Sequence, residues 1–310
     1  MAVISSEVRP VNRPAGRHAL VTRAVSRTTV LAARAAGFAF AFVAAYLLFV
    51  RTEAGRGVEN GVVRSAQSAA HVVEWAQPLR QTDQVVVLGG IALLIVVIAL
   101  LRRRLALGVT ALALLAAAPP APPPLVVAQL LKLYVLDRPT TGDRFGVASH
   151  NSFPSGHASA AMAMLVALAI VLPRRFRLPT LAVGGIGVAW VSAAAVALGW
   201  HRLSDTVGAC LLVAAVTCAG AAVASARRPD GDRVPLLPVL SGLFAPVALV
   251  LVGYAVLATA TSGAAQFVAA MVLAALSAMA VVLLLTGPLR RVTFDPAESR
   301  VRRVRGRQAS

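Results

Sequence analysis

The chain has 310 residues, 58% of them hydrophobic, with a mean hydropathy of +0.77, which excludes an ordinary soluble domain and points to a polytopic membrane protein. The formal net charge of +18 raises nucleic acid as a partner, but the arginines fall in short clusters between apolar segments. That is a loop pattern and not a groove-lining one, so the bilayer is the expected partner and nucleic acid is not.

The first 28 residues are basic, with Arg9, Arg13, Arg17, Arg23 and Arg27. They hold no short apolar core followed by a small-residue cleavage site, so no removable signal peptide is expected. A bilayer core takes about 20 apolar residues as a helix. Apolar segments run at 29–50, 84–101, 105–136, 157–173, 179–199, 205–225, 236–260 and 265–287, giving eight expected spans. The third contains "AAAPPAPPP" from Ala116 to Pro124 and reads as a broken span, because proline removes a backbone donor and clashes with the preceding turn.

Arginine clusters follow alternate spans: Arg102 to Arg104, then Arg174, Arg175 and Arg177, then Arg227, Arg228 and Arg233, then the tail from Arg290 to Arg307. With eight spans they share one side with the N-terminus. The positive-inside rule makes that side cytoplasmic and both termini inside. The tail, 289–310, is expected to be disordered and held near anionic inner-leaflet lipids.

Between the first two spans, Val62, Ala66, Ala69, Val73 and Ala76 recur at helical spacing, predicting a weakly amphipathic helix at the interface. His71 and Glu74 lie on its polar side and read as a solvated face, and Trp75 falls off the apolar stripe. Further on, Cys210 and Cys218 lie about 12 Å apart along one helix at 1.5 Å per residue. They cannot pair with each other and read as small core residues.

Three outer segments carry the polar chemistry. The first holds Lys132, the only lysine of the chain, at the outer end of a span, followed by Arg138. The second, "NSFPSGHASA", reads as a helix start, with Pro154 in the first turn and Ser152 or Asn151 as its cap. Ser155, Gly156 and His157 then lie where unpaired backbone NH groups point outward, a place suited to anions, and Gly156 permits close approach. The third, "ALGWHRLSD", puts His201 and Asp205 four residues apart, on one face of a helix. An aspartate in a helix's first turn is kept ionised, and such a carboxylate orients an imidazole and raises its nucleophilicity.

These residues resemble the type 2 phosphatidic acid phosphatase superfamily, as a bacterial integral-membrane member. Its three motifs, K-x6-R-P, P-S-G-H and S-R-x5-H-x3-D, appear here as "KLYVLDRP" (Lys132 to Pro139), "PSGH" (Pro154 to His157) and "HRLSD" (His201 to Asp205). The resemblance covers roughly residues 80 to 226 and implies an all-α, polytopic membrane helix bundle. A six-helix phosphatase core would be joined by two extra C-terminal spans. The expected division is a basic cytoplasmic N-terminus (1–28), the core (29–226), two additional helices (227–288) and the basic tail (289–310).

Two departures bear on the site. Only five residues separate Lys132 from Arg138, so both reach one phosphate only if the helix ends near Leu136; Pro139 supports that end. In the third motif Ala194 and Ala195 stand where the serine and arginine are expected. Arg202 is the obvious substitute, provided that His201 and Arg202 lie in the turn before the sixth span, with Ser204 as N-cap. Arg144 is a weaker candidate, and the alternative is that Arg202 is only a headgroup anchor.

By the resemblance, His201 attacks phosphorus to form a phosphohistidine, Asp205 orients it, and His157 serves as general acid and then base. Lys132, Arg138, Ser155, the Gly156 amide and Arg202 hold the phosphoryl oxygens. No metal or other cofactor is implied. The expected function is hydrolysis of a lipid phosphate or diphosphate, such as phosphatidic acid, phosphatidylglycerol phosphate or a polyprenyl diphosphate, at the outer face of the plasma membrane. A phosphotransferase using the same intermediate, or a catalytically weak binder or transporter of anionic lipid, are the alternatives.

Overall fold

The computed structural model describes residues 25–69, 73–81, 83–102, 128, 130–139, 151–226 and 233–291. The fold is an all-α bundle. Its helices are α1 (Arg27–Ala45), α2 (Glu53–Ser68), α3 (Gln77–Gln81), α4 (Gln84–Leu101), α5 (Gly156–Val171), α6 (Arg174–Ala197), α7 (Leu203–Ala226), α8 (Leu237–Thr259) and α9 (Gly263–Arg291). A π-helical stretch, Tyr46–Arg51, prolongs α1, and another spans Leu131–Val135. Two residues before α1, Val25–Ser26, pair antiparallel with Arg233–Val234 before α8, a contact too short for sequence periodicity to reveal.

Five stretches are long and apolar enough to cross a membrane: Arg27–Arg51, Arg174–Ala197, Leu203–Ala226, Leu237–Thr259 and Gly263–Leu289. Gly89–Leu101 and Gly156–Val171 are shorter apolar helices. The chain is thus a multi-pass bundle whose described helices coincide with seven of the eight expected spans to within a few residues. Most of the broken third span, the residues around Arg144, His71 and both basic termini lie outside the described residues.

At the centre stands α7. It is buried along most of its length, from Leu203 to Ala222, and packs against α1, α5, α6 and α9. Small residues make that burial possible: Gly208, Ala209, Cys210, Ala214 and Ala215 let neighbouring helices approach closely. The ring of Phe153 lies over Gly208, where any side chain would displace it. The two C-terminal helices are not peripheral, since α8 lies along α1 and α9 packs on α6, α7 and α2. Where α1 meets α8, the backbone of Gly37 rests against Gly242 and Leu243, leaving no room for a Cβ.

At the arginine-rich end, guanidinium groups satisfy carbonyls that have no intrahelical donor, at helix C-termini or, for Leu284, four residues before Pro288. Arg177 donates to Leu289 O at 2.9 Å and to Ile170 O and Leu172 O at 3.4 Å. Arg102 donates to Val171 O, and Arg34 to Leu284 O. These arginines therefore tie α1, α4, α5, α6 and α9 together as well as marking one side of the bundle. The three polar segments all lie at the other end.

Candidate active site

The first polar segment ends its helix where two-sided access requires. The π-helical stretch Leu131–Val135 stops at Leu136, whose backbone is extended at φ −98° and ψ 123°. Arg138 is thereby freed from the helical phase of Lys132. Two contacts hold this exit. Tyr46 Oη donates to Asp137 O at 2.7 Å and accepts from Asp137 N at 3.1 Å. Asn151 Nδ2 donates to Lys132 O and Leu136 O at 3.1 and 2.7 Å.

The second segment starts α5 later than expected. Ser155, and not Asn151 or Ser152, is the N-cap, its Oγ accepting from Ala158 N at 3.3 Å. Pro154 thus precedes the cap instead of occupying the first turn. Asn151 and Ser152 serve the neighbouring segments, and that competition moved the cap. Gly156 and His157 remain in the first turn, where amides have no intrahelical acceptor. A Cβ on Gly156 would meet no protein atom within 4 Å.

The third segment is shaped by the end of α6. Gly199, at φ +67°, closes the helix: its N–H donates to Val196 O at 3.0 Å, and Trp200 N donates to Ala195 O at 3.1 Å. This is a Schellman motif, in which the left-handed position suits glycine. His201 N also donates to Ala195 O at 3.1 Å, so the backbone of His201 hangs directly from the end of α6. His201 and Arg202 lie in the turn before α7, as a phosphate-directed Arg202 requires. The cap is Arg202 itself and not Ser204: Asp205 Oδ2 accepts from Arg202 N at 2.9 Å, reaching back from the first turn as a capping-box acid does.

Asp205 is fully buried and draws the segments together. Its Oδ1 accepts from Arg138 Nη2 at 2.8 Å. Its Oδ2 accepts from Ser152 Oγ at 2.6 Å and stands 3.5 Å from His201 Nδ1. Ser155 N donates to its backbone carbonyl at 2.9 Å. The His157 and His201 rings face each other edge-on with centroids 6.0 Å apart, and Trp200 packs on His157 at 5.3 Å. Lys132 is half-buried, and its charge is felt at both Asp205 and His157. Lys132, Arg138, Ser155, Gly156, His157, His201, Arg202 and Asp205 are therefore gathered at one end of the bundle. Ser155 is fully buried, its Oγ engaged as a cap.

The Arg202 guanidinium is buried, 6% exposed, and donates to Ser152 Oγ at 3.3 Å and to Asn60 Oδ1 at 3.1 Å. Beside it lies Glu59, fully buried, which accepts from Ser204 N at 2.9 Å and Ser204 Oγ at 3.0 Å and faces Arg138 Nη1 at 3.5 Å. Burial raises the Glu59 carboxyl above its ordinary range, and the charge of Arg138 opposes that rise. Burial likewise lowers the Arg202 guanidinium, with Arg138 adding to the effect, but a guanidinium stays charged. Two carboxylates and two guanidiniums thus meet in one buried cluster.

Glu59, Asn60, Ser152 and Trp200 were not singled out as site residues from the sequence. For Glu59 a signal existed: it precedes Val62 by three and Ala66 by seven, so a carboxylate sits on the apolar stripe of α2. Among the described residues, no group of three or more His, Cys, Asp or Glu side chains is arranged to hold a metal ion.

A scan against protein families finds the model described as PAP2 superfamily over residues 105–229. This stretch, less than half of the chain, is similar to the PAP2 superfamily. The match is to the type 2 phosphatidic acid phosphatase superfamily that the motifs resemble, and it implies phosphatase activity on phosphate esters. The matched segment contains all three motifs, α5, α6 and α7, but stops before α8 and begins after α2. No curated protein and no solved structure matches the chain.

Proposed function

We propose that the chain is a membrane lipid phosphatase working through a phosphohistidine on His201. The observation that carries this reading is the pairing of two imidazole rings 6.0 Å apart, with Asp205 on one side of His201. Because Nδ1 of His201 is the nitrogen turned to Asp205 at 3.5 Å, Nε2 is left as the nucleophile. The distance is long for a hydrogen bond and closes as positive charge develops on the ring.

In the first step Nε2 forms a bond to phosphorus as the ester P–O bond breaks, and His157 gives a proton to the departing lipid oxygen. In the second, water attacks phosphorus, His157 takes its proton, and the P–N bond breaks to regenerate His201. Asp205 holds the imidazole orientation throughout and offsets the charge of the phosphorylated ring.

Support for phosphoryl binding comes from Arg138. Its side chain is almost wholly buried, yet among the described residues its Nε has no hydrogen-bond acceptor and its Nη1 has only the Glu59 carboxylate, at a long 3.5 Å. Buried donors without acceptors cost free energy, and a phosphoryl oxygen is an acceptor of the right charge and geometry. The amides of Gly156 and His157 and the ammonium of Lys132 add donors on the same end. Lipid is the favoured carrier of the phosphate, since the site lies at the end of an apolar bundle.

The test is phosphate release by purified protein in detergent from phosphatidic acid, phosphatidylglycerol phosphate and polyprenyl diphosphate, with and without chelator. Hydrolysis that survives chelator is expected. Loss of activity with chelator overturns the phosphohistidine route, and transfer of phosphate to an added alcohol in place of water identifies a phosphotransferase.

A further inference from the structure

α2 brings two consecutive polar residues into the site from outside residues 105–229. Neighbours on a helix point about 100° apart, so the pair reaches different partners. Glu59 takes both hydrogen-bond donors of Ser204 and faces Arg138 at 3.5 Å, while Asn60 Oδ1 accepts from Arg202 Nη2 at 3.1 Å. The amide of Ser204 belongs to the first turn of α7, where no intrahelical acceptor exists; Glu59 supplies one. A carboxylate is retained in so buried a place only where it is paired and hydrogen-bonded.

The helix carrying this pair is itself clamped. Val62, Val63 and Ala66 are buried on the same side as Glu59, Ala66 lies against Gly199, and Ser65 closes on Gly263 at the start of α9. With α9 packed on α2, Glu59 and Asn60 sit on a held element rather than on a free interfacial helix.

Resting on the phosphatase reading above, we infer that Glu59 and Asn60 are positioning residues for the two guanidiniums that meet the phosphoryl group. Asn60 orients Arg202, which takes the place of the arginine missing at Ala195. Glu59 holds Arg138 and the start of α7 in register with it. Without Asn60, Arg202 loses a side-chain acceptor that fixes its head. Without the Glu59 carboxylate, one counter-charge between the mutually repelling Arg138 and Arg202 is lost.

The experiment is a pair of double-mutant cycles on the full chain in detergent, each α2 variant being made in the parent and in a background lacking its partner. Asn60→Ala is combined with Arg202→Ala, and Glu59→Gln with Arg138→Ala. Three quantities are read: inorganic phosphate affinity by calorimetry, kcat/KM on phosphatidic acid, and the thermal midpoint. Each α2 variant is expected to weaken phosphate binding and kcat/KM roughly tenfold in the parent, but twofold or less where its guanidinium is gone. Equal losses in both backgrounds would mean that α2 merely supports the fold, and overturn the inference. Phosphate binding that tightens in Glu59→Gln overturns the role of Glu59, since the carboxylate would then be competing with the ligand. If Glu59→Gln does not fold, the Asn60 cycle decides alone, because Asn60 is only partly buried. A parent that binds phosphate but hydrolyses no lipid overturns the phosphatase reading and leaves both cycles readable through affinity. A parent that does neither overturns both.

Discussion

Asp205→Asn is the substitution whose consequence follows most directly from the geometry. The carboxylate has donors on both oxygens: Arg138 on Oδ1 at 2.8 Å, and Ser152 Oγ at 2.6 Å with Arg202 N at 2.9 Å on Oδ2. An asparagine replaces one oxygen with an NH2 group, so either way the amide turns, donor faces donor. If NH2 points to Arg138, a charge-assisted bond worth about 1.5–3 kcal/mol is lost and a guanidinium is left beside a like dipole. If it points to the other side, Ser152 and the Arg202 amide lose their acceptor together. Removing one member of a buried ion pair typically costs about 3–5 kcal/mol, and the fall in stability should lie in that range. For catalysis, the charge that offsets the phosphorylated imidazole is gone, a loss of about 3 kcal/mol, or roughly two decades in kcat at about 1.4 kcal/mol per decade. Phosphate release from phosphatidic acid, with the thermal midpoint recorded on the same preparation, measures both. A variant within threefold of the parent in kcat and with an unchanged midpoint would refute the reasoning.

Arg202→Ala should lower turnover at least roughly tenfold, about 1.4 kcal/mol of transition-state stabilisation; turnover near that of the parent would make Arg202 an anchor and nothing more. Gly199→Ala forces a Cβ into φ +67°, at about 1–2 kcal/mol, and should lower the thermal midpoint in detergent by several degrees; no shift would mean that the turn relaxes freely. Because burial holds the Glu59 carboxyl above its ordinary range despite Arg138, the folded chain keeps that proton to a higher pH than the unfolded one. Its contribution to stability is therefore present below the unfolded carboxyl range and is lost as pH rises through the folded value. The midpoint of the parent relative to Glu59→Gln should accordingly fall as pH rises from about 4, and a difference that grows instead contradicts the buried-acid description.

The spans were legible because lipid-facing and core helices are apolar along nearly their whole length, and Gln84–Leu101 or Leu237–Thr259 stand out without any knowledge of partners. The convergence of the three polar segments followed from counting spans and from arginine clusters at the opposite end. Helix caps were harder to read. Asn151, Ser152 and Ser155 are all good caps by residue type, and the choice among them was made by Lys132 O, Leu136 O and Asp205, which engage the first two. Ser204 is likewise a good cap in isolation, yet Glu59, 145 residues away, takes both its donors. Glu59 was hard to read because the apolar stripe on which it lies is weak, built mostly from alanines, so one carboxylate on it does not stand out. Only the tertiary fold, with α9 pressing α2 onto the site, turns it inward.

The most direct measurement is labelling with a lipid whose phosphate is radioactive, quenched in alkaline detergent, followed by mapping of the protein-bound label. Label on His201 that is lost in acid, survives base and is absent from His201→Ala is the expected result. Full hydrolysis by His201→Ala, or label on a different residue, would contradict the assignment of His201 as the nucleophile.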